Sequence, residues 1–385
     1  MFLNHIRAKN APNSLKRNIL PVFCVCDYCT KNAAKSPFRE EKLAKVLITS
    51  GRWGDPTIDM NDENQRWVLG ACELMMEFAR TDRFGVHSVT PDPSAADVIV
   101  FVEQGTSGDF DELVRYHSHV KEYREKCFIF ESGDYAPPLM PGCYASLRKR
   151  HHDPARTRGG YYLRTDRNPY VEFRPLPENP RILGSFIGSI SSHPVRTALL
   201  HLPSDEFLVE DTSSFALDVM MGKRGDDVRG AFWVHFADCM AEAAFSLCPR
   251  GRGPGSIRLF ESMRMGRCPV ILADDWIAPA RVDWRSCSLI VPEKDAARLP
   301  QFLRERKTQA AELGLRAHQE WEKYFAPDTC FHWLVEDCLD LKRNRRVPEA
   351  VAARLAWRHI LEPGYARMFL RTKRNMLRNG GKFLF

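Results

Sequence analysis

Short apolar runs alternate with helix-period segments along the first half of the chain. Residues 45–49 read as a strand, 97–102 form a continuous apolar run suited to a buried parallel strand, and 127–130 form another. Between the first two, the spacing of Trp67, Leu69, Ala71, Leu74, Met75 and Phe78 predicts a helix over 64–80. A second helix is expected over 112–124. Strands and helices in alternation predict an α/β layer around a parallel sheet. Prolines 137, 138 and 141 mark an irregular loop. Prolines 169, 175, 177 and 180 mark a stiff connection, and a domain boundary is expected there.

The second half repeats the grammar. Strands are predicted over 182–188, 206–209, 244–248, 269–272 and 288–291. Helices are predicted over 194–201, 233–243, 256–265, 301–325 and 330–342, the third ended by Gly266 as a left-handed stop. The expected division is 1–175 as a first Rossmann-like domain, 176–340 as a second, and 341–385 as a basic helical tail.

Composition changes this picture little. Among 385 residues, 44% are hydrophobic and 27% charged, as in ordinary globular proteins that bury sizeable cores. The 12 cysteines are scattered apart from Cys24, Cys26 and Cys29, and no metal site is expected at these three, whose spacing is not a standard one. No run approaches the ~18 apolar residues of a spanning helix, and no signal peptide is read at the N-terminus. The expected location is therefore cytoplasmic. Charge is more telling. Residues 341–385 hold twelve Lys and Arg against Glu349 and Glu362, a surplus of ten, while the whole chain is only +7. The remainder is thus −3, and the basic character belongs to the tail. Interleaved apolar residues such as Phe369 and Leu370 suit that tail to an anionic membrane surface or to a solvated helix end. No nucleic-acid motif accompanies the charge.

The densest chemistry lies over 245–279. A strand runs into the glycines Gly251, Gly253 and Gly255 and then into a helix. Glycines permit a tight turn and close approach of a ligand, and the free N–H groups of a helix start favour phosphate. Arg250 and Arg252 add guanidinium charge suited to phosphate. Ser256 suits the N-cap or a phosphate contact. Arg258 and Glu261 share a helix face, with Glu261 better placed for sugar hydroxyls than for phosphate. Asp275 follows the next strand, and doubly wound folds bind ligands at such carboxyl ends. A dinucleotide fingerprint would need glycine where Ser256 stands.

These residues resemble the exostosin family of glycosyltransferases. The likeness runs through Phe245, Leu247, Cys248, Pro249, Arg250 and Gly251, then Ser256, Arg258, Leu259 and Glu261. It continues through Gly266, Cys268, Pro269, Val270, Ile271, Asp275 and Pro279. Upstream, 186–188 ending in Gly188 and 194–196 ending in Arg196 resemble the start of the family's donor domain. Ser262 and Arg267 depart from the pattern. The resemblance implies a GT-B fold: two Rossmann-like, doubly wound domains facing a cleft, with the last helices crossing back to the first. It implies inverting transfer from a UDP-sugar, with Arg250, Gly251, Gly253, Ser256, Arg258, Glu261, Gly188, Arg196 and Asp275 around the donor. The acceptor is a saccharide, glycolipid or protein.

The expected mechanism is direct displacement without a required metal or cofactor. Asp134 and Glu103 both follow buried strands and are the candidate bases. His151 and His152 lie in a basic loop and read as solvated surface or an acceptor contact. Rival readings are an NAD(P)-dependent oxidoreductase using the glycine loop and a non-catalytic nucleotide-sugar-binding protein.

Overall fold

Strands β1 (Lys45–Thr49), β2 (Ser88–Val89), β3 (Val98–Glu103), β4 (Cys127–Glu131), β5 (Gly142–Tyr144) and β6 (Thr157–Gly159) pair in the order β2-β1-β3-β4-β5-β6, all parallel. This is the first sheet of a computed structural model that describes residues 43–53, 69–104, 112–134, 137–163, 168–215, 218–219 and 225–378. Cys24, Cys26 and Cys29 lie outside the described residues, as does the start of the helix expected from residue 64. Every residue of β3 and β4 is buried. Continuous apolar runs make such strands, because both faces are covered. Helix α1 (Gly70–Arg80) supplies part of that cover through Ala71, Cys72, Met75 and Phe78.

The stretch expected as one helix over 112–124 is instead α2 (Glu112–Arg115) and α3 (Ser118–Glu122). The break falls at His117, which is extended and whose Nδ1 accepts from the His119 N–H at 3.1 Å. A side chain that caps a new helix start ends the old one.

The second sheet contains β7 (Ile182–Gly188), β8 (Phe207–Asp211), β9 (Ala243–Pro249), β10 (Cys268–Leu272) and β11 (Leu289–Ile290), in the parallel order β11-β10-β9-β7-β8. Helices α4 (Pro194–Leu199), α5 (Asp226–Ala241) and α6 (Ile257–Met265) accompany it. The chain leaves β7 toward one neighbour and returns on the other side as β9, so a topological switch point lies between their carboxyl ends. The connection expected near 169–181 lies between the two sheets. Helix α5 starts earlier than the expected 233, directly after Gly225 at φ 86°.

After α7 (Trp284–Cys287), the long helix expected over 301–325 is divided into α8 (Leu299–Arg304) and α9 (Ala310–Tyr324). Leu299, Leu303 and Ala310 stay in the core of the second sheet. Helix α9 crosses α6 so closely that a Cβ on Gly314 would stand 2.4 Å from the Gly266 carbonyl oxygen. One straight helix would not make both contacts.

Helices α10 (Cys330–Arg343), α11 (Glu349–Ala356) and α12 (Pro363–Arg378) return to the first sheet, the crossing back that was expected. From α10, Phe331, Leu334, Val335, Cys338 and Leu341 bury in the same core as Val46, Val98 and Phe128. From α11, the buried Glu349 accepts from Arg156 Nη2 at 2.5 Å. That core also holds Leu259, Phe260 and Met263 of α6 with Trp276 and Trp284, so hydrophobic packing is continuous between the sheets. The described residues thus form the expected α/β pair of doubly wound parallel sheets. No helix among them is long and apolar enough to cross a membrane.

Candidate functional site

The switch point of the second sheet is built from Gly188 at the end of β7, Pro249 and Arg250 at the end of β9, and the start of α6. Arg250 is tied down by its backbone, whose N–H donates to the Leu272 carbonyl at 2.9 Å, while its side chain is buried with Nη1 3.9 Å from Glu293 Oε1. Ser256 takes the N-cap position with extended backbone, and its side chain makes no capping hydrogen bond. Gly266 ends the helix at φ 77°, as expected.

Two charged residues on α6 meet at this point. Arg258 is buried with its guanidinium carbon 4.4 Å from the Phe186 ring centroid and 5.3 Å from that of Phe236. A Cβ on Gly188 would stand 3.1 Å from Arg258 Nη2, so this position leaves the arginine room. Glu261 is also buried, and among the described residues it has no hydrogen-bond partner. Burial pushes its carboxyl up to about 7, against the pull of Arg258 and Arg264. An acid so held, beside a desolvated guanidinium at a strand end, is a strong acceptor for ligand hydroxyls.

The glycine loop has a second use. A Cβ on Gly253 would stand 2.3 Å from Ser146 Oγ and 2.7 Å from the Asp134 carbonyl oxygen. One on Gly255 would stand 2.6 Å from the Ala145 carbonyl oxygen. Both glycines therefore admit the loops after β4 and β5 of the first sheet. Gly251 faces Arg196, whose Nη2 would lie 2.9 Å from a Cβ there.

Asp134 is brought to this junction. Its Oδ1 accepts from the Tyr162 hydroxyl at 2.6 Å, and Ser146 Oγ lies 2.9 Å from that hydroxyl. Ser146 Oγ in turn accepts from the Gly255 N–H at 3.0 Å. One chain of hydrogen bonds thus links an exposed carboxylate of the first sheet to the glycine loop of the second. Ser146 and Tyr162 were not singled out by sequence. They lie in the segments that follow the three-residue strands β5 and β6, where no periodicity marks them.

Three other expected residues have structural engagements. Glu103 is buried, and its Oε1 accepts from Ser50 Oγ at 3.0 Å and from the Gly51 N–H at 2.7 Å, bracing the ends of β1 and β3. Arg196 donates to the carbonyls of Arg250, Ser189 and Pro249 at 2.9, 3.1 and 3.2 Å. It holds the β9 end against the loop after β7 rather than projecting freely. Asp275 is engaged by Arg148 Nη1 at 2.8 Å, across to the first sheet. Of the basic-loop pair, His151 is buried against His359 and pairs with Glu362, so it is not solvated surface.

Residues 173–306 match the Exostosin GT47 domain. An Exostosin-1 homolog of Caenorhabditis elegans is 35% identical over 92 residues, which are 23% of this chain and 24% of that one. Exostosin-1 of Drosophila melanogaster is 24% identical over 207 residues, 51% of this chain and 27% of that one. A probable glucuronosyltransferase of Oryza sativa subsp. japonica is 47% identical over 66 residues, 17% of this chain and 16% of that one. The chain spans about a quarter of the length of the two animal relatives. The matched span contains the whole second sheet, α6 and every expected donor-side residue. Over residues 173–306, the chain is similar to the exostosin GT47 domain.

Proposed function

We propose that this protein is a glycosyltransferase that moves a sugar from a UDP-sugar to a saccharide, glycolipid or protein acceptor, with inversion at the anomeric carbon. The observation that carries the reading is the pair Arg258 and Glu261, both buried on α6 at the switch point, with the glutamate lacking a hydrogen-bond partner among the described residues. Guanidinium and the α6 start suit the diphosphate, and the glutamate suits the ribose hydroxyls. Arg250 adds charge beside the leaving group, where electrostatic stabilisation is often the largest catalytic contribution. Arg196 and Asp275 act on the donor only through the loops they hold.

Asp134 is the proposed base. It is exposed, it lies at the junction of the two sheets, and Tyr162 fixes its orientation. Glu103 is bound to the ends of its own sheet and is not assigned this role. The transfer step uses no metal. The rice relatives carry glucuronosyl transfer in their names, so UDP-glucuronate is the first donor to try.

The test is calorimetric titration with UDP, paired with mass spectrometry of acceptors incubated with a donor panel. Arg250→Ala and Glu261→Ala should each lose ~1–3 kcal/mol of UDP affinity, the scale of a charged hydrogen bond. Asp134→Asn should keep UDP affinity and lose ~10²–10⁴-fold in turnover. Unchanged affinity in both donor-side variants would move the donor site elsewhere.

The outward face of α12 carries Arg367, Leu370, Arg371, Arg374 and Leu377, all exposed, while Tyr365, Met368 and Phe369 turn inward. We assign that face to an anionic membrane surface, which would bring a lipid-linked acceptor to the enzyme.

A further inference from the structure

Strand β8 is the edge of the second sheet, and α5 runs beside it with His235 and Cys239 one turn apart on the same face. Glu210 of β8 reaches the same point. His235 Nε2 lies 2.9 and 3.0 Å from the two Glu210 carboxylate oxygens and 3.6 Å from Cys239 Sγ. One ligand atom from each residue falls within 4.8 Å of the others. Cys239 is buried, while His235 and Glu210 are half-buried.

We propose that Glu210, His235 and Cys239 bind one transition-metal ion of the zinc type. Thiolate, imidazole and carboxylate together form the borderline-soft set that Zn²⁺ favours. With Zn–S of ~2.3 Å and Zn–N of ~2.0 Å at a tetrahedral angle, sulfur and nitrogen stand about 3.6 Å apart. Cys239 Sγ lies 3.6 Å from each ring nitrogen of His235, so seating the ion on Nε2 turns the thiol toward that nitrogen. A carboxylate oxygen would stand about 3.3 Å from the nitrogen, so seating the ion opens the Glu210 contact by a few tenths of an ångström. The thiol proton and any imidazole proton on Nε2 leave to solvent as the ion enters, so affinity rises with pH. Water completes the fourth position.

A second cluster, His151, His359 and Glu362, is a poorer host. Arg150 Nη2 already lies 2.6 Å from Glu362, and the charges of Arg148, Arg156 and Arg358 reach the two histidines. A cation there would be repelled.

The ion ties the edge strand to α5. Phe236, next to His235, forms one wall around Arg258. Metal occupancy thereby steadies that wall, a consequence that rests on the proposed donor site, whereas the metal site itself does not.

The test titrates Co²⁺ into the full chain after Cys24, Cys26 and Cys29 have been changed to Ser, which removes the competing thiol cluster. The expected result is a single equivalent with intense visible d–d bands of tetrahedral Co²⁺ and a thiolate-to-metal charge-transfer band. Zn²⁺ should displace the colour and raise Tm. Cys239→Ser should abolish the charge-transfer band and the Tm shift. Glu210→Gln, which keeps size and hydrogen bonding, should keep the band but weaken binding at least tenfold, with circular dichroism confirming the fold. A pale six-coordinate spectrum, no spectrum, or a spectrum unchanged in Cys239→Ser overturns the proposal.

Discussion

Glu261 gives the proposed donor site a pH dependence. Its carboxyl is held near 7 rather than the usual 4.5, because burial disfavours the charged form more than Arg258 and Arg264 favour it. The folded state therefore binds this proton more tightly than the unfolded chain. The group's contribution to stability is full below 4.5 and is lost as pH rises through about 7. At ~1.4 kcal/mol per pH unit, the loss is about 3 kcal/mol. Glu261→Gln is expected to raise Tm at pH 8 and to change it little at pH 5. Thermal unfolding at the two pH values checks this, and an equal effect at both would refute the burial argument. A residue that costs stability at neutral pH and has no hydrogen-bond partner among the described residues is the kind kept for a ligand.

At the scale of the element, the glycine loop serves two partners at once. Its start faces Arg196 and the strand end, while Gly253 and Gly255 lie against the first sheet's loops. Gly253→Ala and Gly255→Ala meet backbone oxygens that do not give way, so each should cost ~1–3 kcal/mol by overpacking. Gly251→Ala meets the Arg196 guanidinium and no backbone atom, and should cost less. Chemical denaturation of the three variants ranks them, and the reverse order would contradict the contact geometry. The sequence motif alone presents these glycines as ligand-facing, since a motif does not reveal which surface presses on it. The strands β1, β3, β4, β7, β9 and β10 were legible because both faces are largely buried and their runs are mostly apolar. Strands β5 and β6 were not, since three residues carry no period. The breaks between α2 and α3 and between α8 and α9 were hidden for another reason. They are set by a cap and by a helix crossing, not by Gly or Pro. Arg258 and Glu261 were legible as a pair; Ser146 and Tyr162, which reach Asp134 only in three dimensions, were not.

At the scale of the whole molecule, the basic surplus of the C-terminal segment resolves into a sidedness. The inward face of α12 joins Leu139, Ala356 and Ile360, and the outward face presents Arg367, Arg371 and Arg374. Changing these three arginines to Glu should abolish co-sedimentation with phosphatidylserine vesicles. Each basic residue near such a surface contributes about 1 kcal/mol. Equal recovery of wild type and variant with anionic and neutral vesicles would dismiss the membrane role. The return of α10 to the first sheet has a different consequence, which concerns the order of synthesis. The strands bearing Val46, Val98 and Phe128 leave the ribosome early, yet Phe331, Leu334, Val335, Cys338 and Leu341, which cover them, are made only after the entire second sheet. Arg156 likewise waits for Glu349. Throughout that interval the nascent first sheet carries an apolar face without its lid, a species prone to aggregate. Burial of that face in the N-terminal half is therefore completed only when the last helices arrive.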